Sequence, residues 1–403
     1  MGKKLMLLGG LQYLLPVIEE AHRLGAYVIT VDYLPDNIAH KYSDEYHNVS
    51  ILEKEEVLKL ARKLEIDGIM SFAVDPGVTT AAYVAEKMGL PFQGSFEAVS
   101  ILQDKGRFRE FLTANGFNVP EAGQYTSLEE ALADISRFAW PVIVKPVDSA
   151  GSKGVMRADN PDRLADAVEY ALSESHSGRF IIEDFLEMEG HSSDSEGFTI
   201  DGRLVFNSFS DQYFDPSAAN PYTPCGYIWP STMPQWAKDE LRDELQRMMT
   251  LLDMRTGIYN IETRLCKDGK AYIMECSPRG GGNRLAEMID IQNDCNIIAN
   301  SVRAALGMDL LPMDCDPHPV PLGEAILHCQ KSGIFREIRI SPEVEQRIVQ
   351  TRMRVEPGES VQEFSGANHA IGTIVLRCED PEELSRLIQN TDEWCEIIVE
   401  TAV

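Results

Sequence analysis

The stretch GIYNIETRLCKDGKAYIMECSPRGGG, residues 257–282, decides the fold. Two runs of strand-forming residues flank Asp268-Gly269, a dipeptide that favours a two-residue hairpin turn. With that turn Lys267 pairs with Lys270, and the same register sets Glu262 opposite Glu275 and Asn260 opposite Ser277. Residues two apart along a strand share a face, so these four side chains point the same way. The companion face, with Tyr259, Ile261, Tyr272, Met274 and Cys276, is mostly apolar and suits a core; Cys276 reads as core, not as a nucleophile. Two opposed carboxylates repel unless a proton or a cation lies between them. A shared proton or a solvated edge is the plain alternative. Hard oxygen ligands suit Mg²⁺, which takes one or two carboxylates and completes its shell with phosphates and water.

A second stretch, KPVDSAGSKGV (145–155), follows an apolar run ending in PVIVK. It is not the phosphate loop of P-loop NTPases, which needs GxxxxGK[ST] opening into a helix; here Lys153 precedes Gly154. Gly151 and Gly154 can still turn backbone N–H groups towards an anion, and the Ser149 and Ser152 hydroxyls add donors. Lys145 ends the strand before the loop, and Lys105 sits on a helix after Gln103-Asp104. Alone, each lysine reads as a snorkelling surface residue; beside this loop, both suit phosphate. In IIEDFLEMEG (181–190), backbone groups of Phe185 and Leu186 can read an adenine edge with help from Glu183, while Glu189 equally suits a solvated charge run.

With 403 residues, 44% of them hydrophobic, the chain can bury several cores. A formal charge of −27, from 37 basic and 64 acidic residues with no basic block, argues against nucleic acid or an anionic membrane as partner. The eight cysteines include no CxxC and are expected to be reduced, mostly buried thiols. The apolar run at 5–8 is too short for a signal peptide or a membrane span, so a cytoplasmic protein is expected.

Residues 3–92 alternate apolar strands with amphipathic helices at 16–24, 54–64 and 79–88, the pattern of a parallel βα sheet. Gly9, Gly10 and the strand-ending Asp32 invite a dinucleotide reading, but GGLQYL lacks the third glycine of GxGxxG. A nicotinamide-binding oxidoreductase therefore rests on Asp32 alone. Ser95 can cap one helix running through ILQDKGRFREFLTANG to Gly116. A Pro- and aromatic-rich segment (213–234) and a helix over 237–252 precede the hairpin, and the tail reads as a small α+β unit with a helix at 381–389.

In this order the pieces resemble the ATP-grasp superfamily of carboxylate-amine ligases along nearly the whole chain, nearest to glycinamide ribonucleotide synthetase-like and L-amino acid ligase-like members. The resemblance implies an α/β ATP-grasp fold. An N-terminal parallel α/β (pre-ATP-grasp) domain would span 1–92, and the ATP-grasp domain 93–320, with its lid at about 120–186. A small C-terminal α+β cap would span 321–403. It implies that Lys105 and Lys145 hold the phosphates of ATP, with Lys145 also catalytic, and that Ser149, Gly151, Ser152 and Gly154 close over them. Glu183, Phe185 and Leu186 would hold adenine, and Glu262, Glu275 and Ser277 would bind Mg²⁺. Arg279 would grip a carboxylate or acyl phosphate as a second catalytic residue. Two positions depart from the family pattern. Ser277 stands where E-x-N has asparagine, and the ribose-binding glutamate of GPE is displaced within EGHSSDSEG, leaving Glu189 or His191. The implied reaction activates a small-molecule carboxylate as an acyl phosphate and joins it to an amine, releasing ADP and phosphate; a homodimer is common for this architecture. The alternative is an ATP-binding sensor or degenerate ligase.

Overall fold

In the computed structural model, residues 2–149, 151–313, 315 and 319–400 are described. Strands β1 (Lys4–Leu8), β2 (Tyr27–Asp32), β3 (Glu45–Asn48) and β4 (Gly68–Ser71) form a parallel sheet in the order β3-β2-β1-β4. Helices cover both faces, which is why β1 is a continuous apolar run. Leu5 and Leu7 pack with Val17 and Ile18 on one side, while Met6 and Leu8 pack with Val57, Ala61, Val84 and Ala85 on the other. The helix Asp75–Met88 starts four residues ahead of the span read from sequence, because Pro76 occupies its first turn, where the missing N–H is harmless. Asp75 is thereby fixed at a helix N-terminus. Asp32 is 5% exposed; its carboxylate accepts the Leu34 N–H at 3.1 Å and the Asn37 amide at 3.0 Å. It closes its own loop, which removes the one support for a nicotinamide-binding reading.

The single helix read from Ser95 to Gly116 is two. Ser95 caps Phe96–Gln103, Asp104 is extended (φ −104°, ψ 112°), and its carboxylate accepts the Arg107 N–H at 3.0 Å to cap Lys105–Ala114. The break places Lys105 in the first turn of the second helix. Strands β5 (Ala122–Tyr125), β6 (Val142–Pro146), β7 (Met156–Ala158) and β8 (Phe180–Asp184) form an antiparallel sheet in the order β5-β8-β6-β7. One face is covered by the helix Leu164–Ser173. Ile143 pairs with Glu183 and Lys145 with Ile181, so Lys145 and Glu183 are diagonal neighbours on one face.

The central antiparallel sheet has the order β10-β9-β13-β14, built from β9 (Ser193–Ile200), β10 (Arg203–Asn207), β13 (Gly257–Leu265) and β14 (Ala271–Ser277). The helix Gln235–Leu251 packs Leu241, Leu245 and Met248 into one core with Tyr259, Ile261, Ile273 and Cys276. That leaves the opposite face of the hairpin for polar side chains. Strands β11 (Asp211–Phe214) and β12 (Pro224–Trp229), from the Pro/aromatic segment, join β15 (Leu322–Leu327), β17 (Ile348–Met353) and β19 (Gly372–Arg377) in the order β11-β12-β15-β19-β17. A cut at residue 320 therefore runs between paired strands: Tyr227 pairs with Glu324. Strands β16 (Gly333–Ile340), β18 (Ser360–Val361) and β20 (Cys395–Glu400) make a small separate sheet.

Cys295 and Cys315 form a disulfide, against the expectation that every cysteine is a free thiol; the other six are free. Left-handed backbone at Asp294 and Asn296 presents Cys295 to its partner, a juxtaposition that spacing alone does not signal. Among the described residues no helix is long and apolar enough to cross a membrane.

Candidate active site

Glu262 lies opposite Glu275 and Asn260 opposite Ser277. The route to that register differs from the simple turn. Leu265 pairs with Ala271, the Cys266 N–H donates to the Lys270 carbonyl at 3.0 Å, and Gly269 takes φ 77°, which together make a three-residue loop. A bulge then follows: Thr263 pairs with Ile273, leaving Met274 as the extra residue on β14. The two one-residue offsets cancel at the glutamates. They do not cancel nearer the turn, so Tyr272 and Met274 are turned off the helix-facing core and pack with Cys266 and Leu186.

Strand β9 extends the polar face. Asp194 pairs with Glu262 and Glu196 with Asn260, giving one row Glu275, Glu262, Asp194 and a second row Ser277, Asn260, Glu196. The nearest cations are Lys105, 3.5 Å from Glu275, and Arg264, 3.6 Å from Glu262. Burial first, and then the neighbouring Glu262 charge, push Asp194 up to about 7; burial pushes Glu196 up to about 8. Among the described residues no three His, Cys, Asp or Glu side chains form a metal cluster by themselves. The Glu262–Glu275 pair, two hard carboxylates opposed on one polar face, fits a Mg²⁺ that completes its shell with phosphate and water oxygens.

Ser277 and Arg279 are employed differently from their sequence assignments. The buried Ser277 hydroxyl accepts from the Gln103 amide at 2.5 Å and donates to Asp75 at 3.0 Å, so it is taken up by a protein network and not presented to a metal. Arg279, 7% exposed, donates to both oxygens of Asp75 at 2.9 and 2.7 Å, and to Asn260 and the Gly280 carbonyl at 2.8 and 3.0 Å. The guanidinium assigned to a substrate carboxylate is thus gripped by one from the N-terminal sheet unit. Sequence reading missed Asp75, Asp194 and Glu196, because a helix-opening Asp-Pro and a D-x-E strand are generic until long-range pairing places them.

On the phosphate side, Lys145 donates to Glu183 at 2.7 Å and Arg109 donates to its other oxygen at 2.7 Å. Burial of Glu183 favours the neutral acid, but Arg109 and Lys145 outweigh it and hold the carboxyl down at about 2. Glu183 therefore anchors Lys145 and is not free to contact adenine. Lys105 donates to the Ser149 carbonyl at 3.1 Å, joining its helix to the glycine-containing loop. In that loop Gly151, Ser152 and Gly154 have φ of 68°, 59° and 70°; the Ser152 hydroxyl donates to the Tyr222 carbonyl at 2.9 Å, and the Ser149 hydroxyl donates to the Glu174 carbonyl. In the hinge, the Phe185 N–H is spent on the Pro141 carbonyl at 3.0 Å, whereas the Leu186 N–H has no hydrogen-bond partner among the described residues. Leu186 with Tyr272 and Met274 offers an apolar wall beside that free donor, as a flat base requires. Glu189 is exposed, and the His191 ring packs on Tyr213 at 4.6 Å between centroids.

The family model of the ATP-grasp domain matches residues 138–287, which run from the lid sheet through both glutamates to Arg279. Over residues 138–287 the chain is therefore similar to ATP-grasp domains. The formate-dependent phosphoribosylglycinamide formyltransferase of Synechococcus sp. (strain WH7803) is 27% identical over 322 residues, covering 77% of this chain and 78% of that one. The carbamoyl phosphate synthase large chain of Thermotoga petrophila is 25% identical over 258 residues, 63% of this chain but 23% of that one. The crystal structure of L-amino acid ligase from Bacillus licheniformis superposes with a TM-score of 0.80 at 23% identity, covering 99% of both chains. Phosphoribosylglycinamide synthetase from Anaerococcus prevotii gives 0.77 at 21%, covering 99% of this chain and 100% of that one. The biotin carboxylase domain of the Hydrogenobacter thermophilus 2-oxoglutarate carboxylase, crystallised with MgADP, gives 0.73 at 16%, covering 99% and 91%. These likenesses place the ATP-grasp fold over the whole described chain.

Proposed function

We propose that the chain uses ATP to activate a small-molecule carboxylate as an acyl phosphate and joins it to an amine, releasing ADP and phosphate. The observation that carries this reading is the Glu262–Glu275 pair with Lys105 3.5 Å from Glu275. A carboxylate is a poor electrophile, and transfer of the γ-phosphoryl group supplies a leaving group that an amine can displace. The protein's contribution is positioning and charge neutralisation. Lys105 and Lys145 face the phosphates, the loop at 149–154 closes over them, and the Leu186 N–H beside Tyr272 and Met274 takes the base. When bound, Mg²⁺ held by Glu262 and Glu275 neutralises charge on the transferring phosphoryl group.

The Asp75 grip on Arg279 and Ser277 favours a second reading, an ATP-binding sensor without ligation, because it occupies the guanidinium that a ligase would turn to its substrate. One experiment separates the two. ADP and phosphate release is measured with Mg²⁺ across a panel of amino acids and small carboxylates, with and without added amines, and products are identified by mass. Release that depends on a carboxylate, with a product heavier by the amine, supports ligation. Tight ATP binding with no release under any condition supports the sensor.

A further inference from the structure

Two acidic side chains on β9 lie outside the set assigned above to ATP and its metal. Glu196 is fully buried; one oxygen accepts the Gly281 N–H at 2.7 Å, and the other has no hydrogen-bond partner among the described residues. Asp194 accepts from the Asn260 amide at 2.6 Å and from the Tyr227 hydroxyl at 3.3 Å. Both lie on β9, whereas the phosphate-facing Lys105 meets Glu275 on β14, two strands away. Strands lie about 5 Å apart, so the pair sits roughly 10 Å from that lysine, across the metal glutamates. On the ligase reading, this side is left for the second substrate, because Lys105 and the two glutamates are assigned to ATP and its metal.

Resting on the ligase reading, we propose that Asp194 and Glu196 form the recognition site for the acceptor substrate, and that this acceptor is a primary amine carrying its positive charge in solution. The charges of the site call for such a ligand. Arg279 is held by Asp75, and Lys105 and Arg264 flank the two glutamates, whereas the two β9 acids have no ion-pair partner among the described residues. A second divalent ion fits poorly, because it takes about six oxygen ligands, and Asp194 is already committed to Asn260 and Tyr227. An ammonium needs two or three acceptors, which the free Glu196 oxygen and the Asp194 carboxylate supply; on reaction it gives one proton to Glu196, and the freed nitrogen lone pair displaces phosphate from the acyl phosphate. Gly281, whose N–H fixes Glu196, also lines a small cleft with Tyr13, Pro16, Phe72, Arg284 and Glu287.

Hydroxylamine, which is uncharged at neutral pH, separates this inference from the ligase reading. Wild-type protein is given Mg-ATP and a carboxylate panel with hydroxylamine, L-alaninamide or putrescine as acceptor. In Glu196→Gln and Asp194→Asn, hydroxamate formation and the KM for ATP are expected to stay within about threefold of wild type, while KM for the charged amines rises about tenfold or more, as loss of a charged hydrogen-bond partner predicts. Unchanged amine KM in both variants, or equal loss with hydroxylamine and charged amines, overturns the assignment. Absence of hydroxamate with every carboxylate in wild type strikes the ligase reading instead. Titration calorimetry of putrescine and L-alaninamide, in the presence of a non-hydrolysable Mg-ATP analogue, then decides the amine site alone: binding to wild type that is lost in Glu196→Gln supports it, and equal heats overturn it.

Discussion

Asp75 opens a helix of the N-terminal unit and holds Arg279, beyond the metal hairpin, by two hydrogen bonds of 2.9 and 2.7 Å. The pair is largely buried, with side-chain exposures of 19% and 8%, so the charge on either residue depends on the other. Asp75→Asn leaves a buried guanidinium without its counter-ion and is expected to destabilise by about 3 kcal/mol, read by urea unfolding. Carboxylate-dependent ADP release is expected to drop at least about tenfold with KM for ATP little changed, since the fork loses its orientation and not the nucleotide. Arg279→Lys should act in the same direction. A lowered KM for the carboxylate in Asp75→Asn, with kcat preserved, would instead identify Asp75 as a competitor for the fork.

Glu183 between Arg109 and Lys145 gives a prediction with a defined sign. Its folded-state carboxyl lies at about 2 against an ordinary 4.5, so its contribution to stability is present above pH 4.5 and is lost as pH falls through about 2. Glu183→Gln strands two cations and is expected to destabilise by about 3–5 kcal/mol at neutral pH. Unfolding followed by circular dichroism from pH 5 down to pH 2 should show a loss in wild type that is absent from the variant's profile.

Glu262 and Glu275 face each other, and each has one cation beside it, Arg264 at 3.6 Å and Lys105 at 3.5 Å. Glu275→Gln and Glu262→Gln are expected to leave the metal-free melting temperature little changed, because each removes a like-charge repulsion together with one flanking ion pair. Mg²⁺-dependent ADP formation should be abolished in Glu275→Gln, with adenosine binding retained. Scanning calorimetry without metal and a coupled ADP assay check both halves, and full turnover in Glu275→Gln would remove these glutamates from the metal site.

Buried Glu324 on β15 has no hydrogen-bond partner for either oxygen among the described residues and lies 3.8 Å from Arg284. It is also faced by Glu287 beside helix residue Leu285, by Arg354 after β17, by Thr373 on β19 and by Tyr227 on β12. Burial pushes it up to about 7 despite Arg284, so the folded state keeps a proton that the unfolded chain releases near 4.5. Its contribution is full below pH 4.5 and is lost as pH rises through about 7, on the order of 3 kcal/mol. Melting temperature should fall from pH 5 to pH 8, with a smaller fall in Glu324→Gln. An equal slope in both proteins would place the titration elsewhere.

Gly154 has φ 70°, and a Cβ there would sit 2.9 Å from the Pro146 ring. Gly154→Val should strain the loop by at least about 1–2 kcal/mol and slow its closure. Limited proteolysis of 149–153 is expected to be slowed by an ATP analogue with Mg²⁺ in wild type and hardly at all in the variant.

What the sequence determined by itself was local and periodic. The βα alternation of the N-terminal sheet, the helices at 54–64 and 381–389, and the shared face of Glu262 and Glu275 follow from spacing, because hydrophobic period and chain turns act over a few residues. Even there the glutamate register came from two offsets that cancel, a three-residue loop and a bulge at Met274, which no pattern rule resolves. Tertiary structure decided which side chain each charge faces. Glu183 went to Lys145 and Arg109, Ser277 and Arg279 to Asp75, Asp194 to the far side of Glu262, and the aromatic strands of 211–229 to the C-terminal sheet. These are contacts between residues up to about two hundred positions apart, and a buried charge takes whichever partner packing brings within hydrogen-bond reach. Residue type states that a partner is needed; the fold alone selects it.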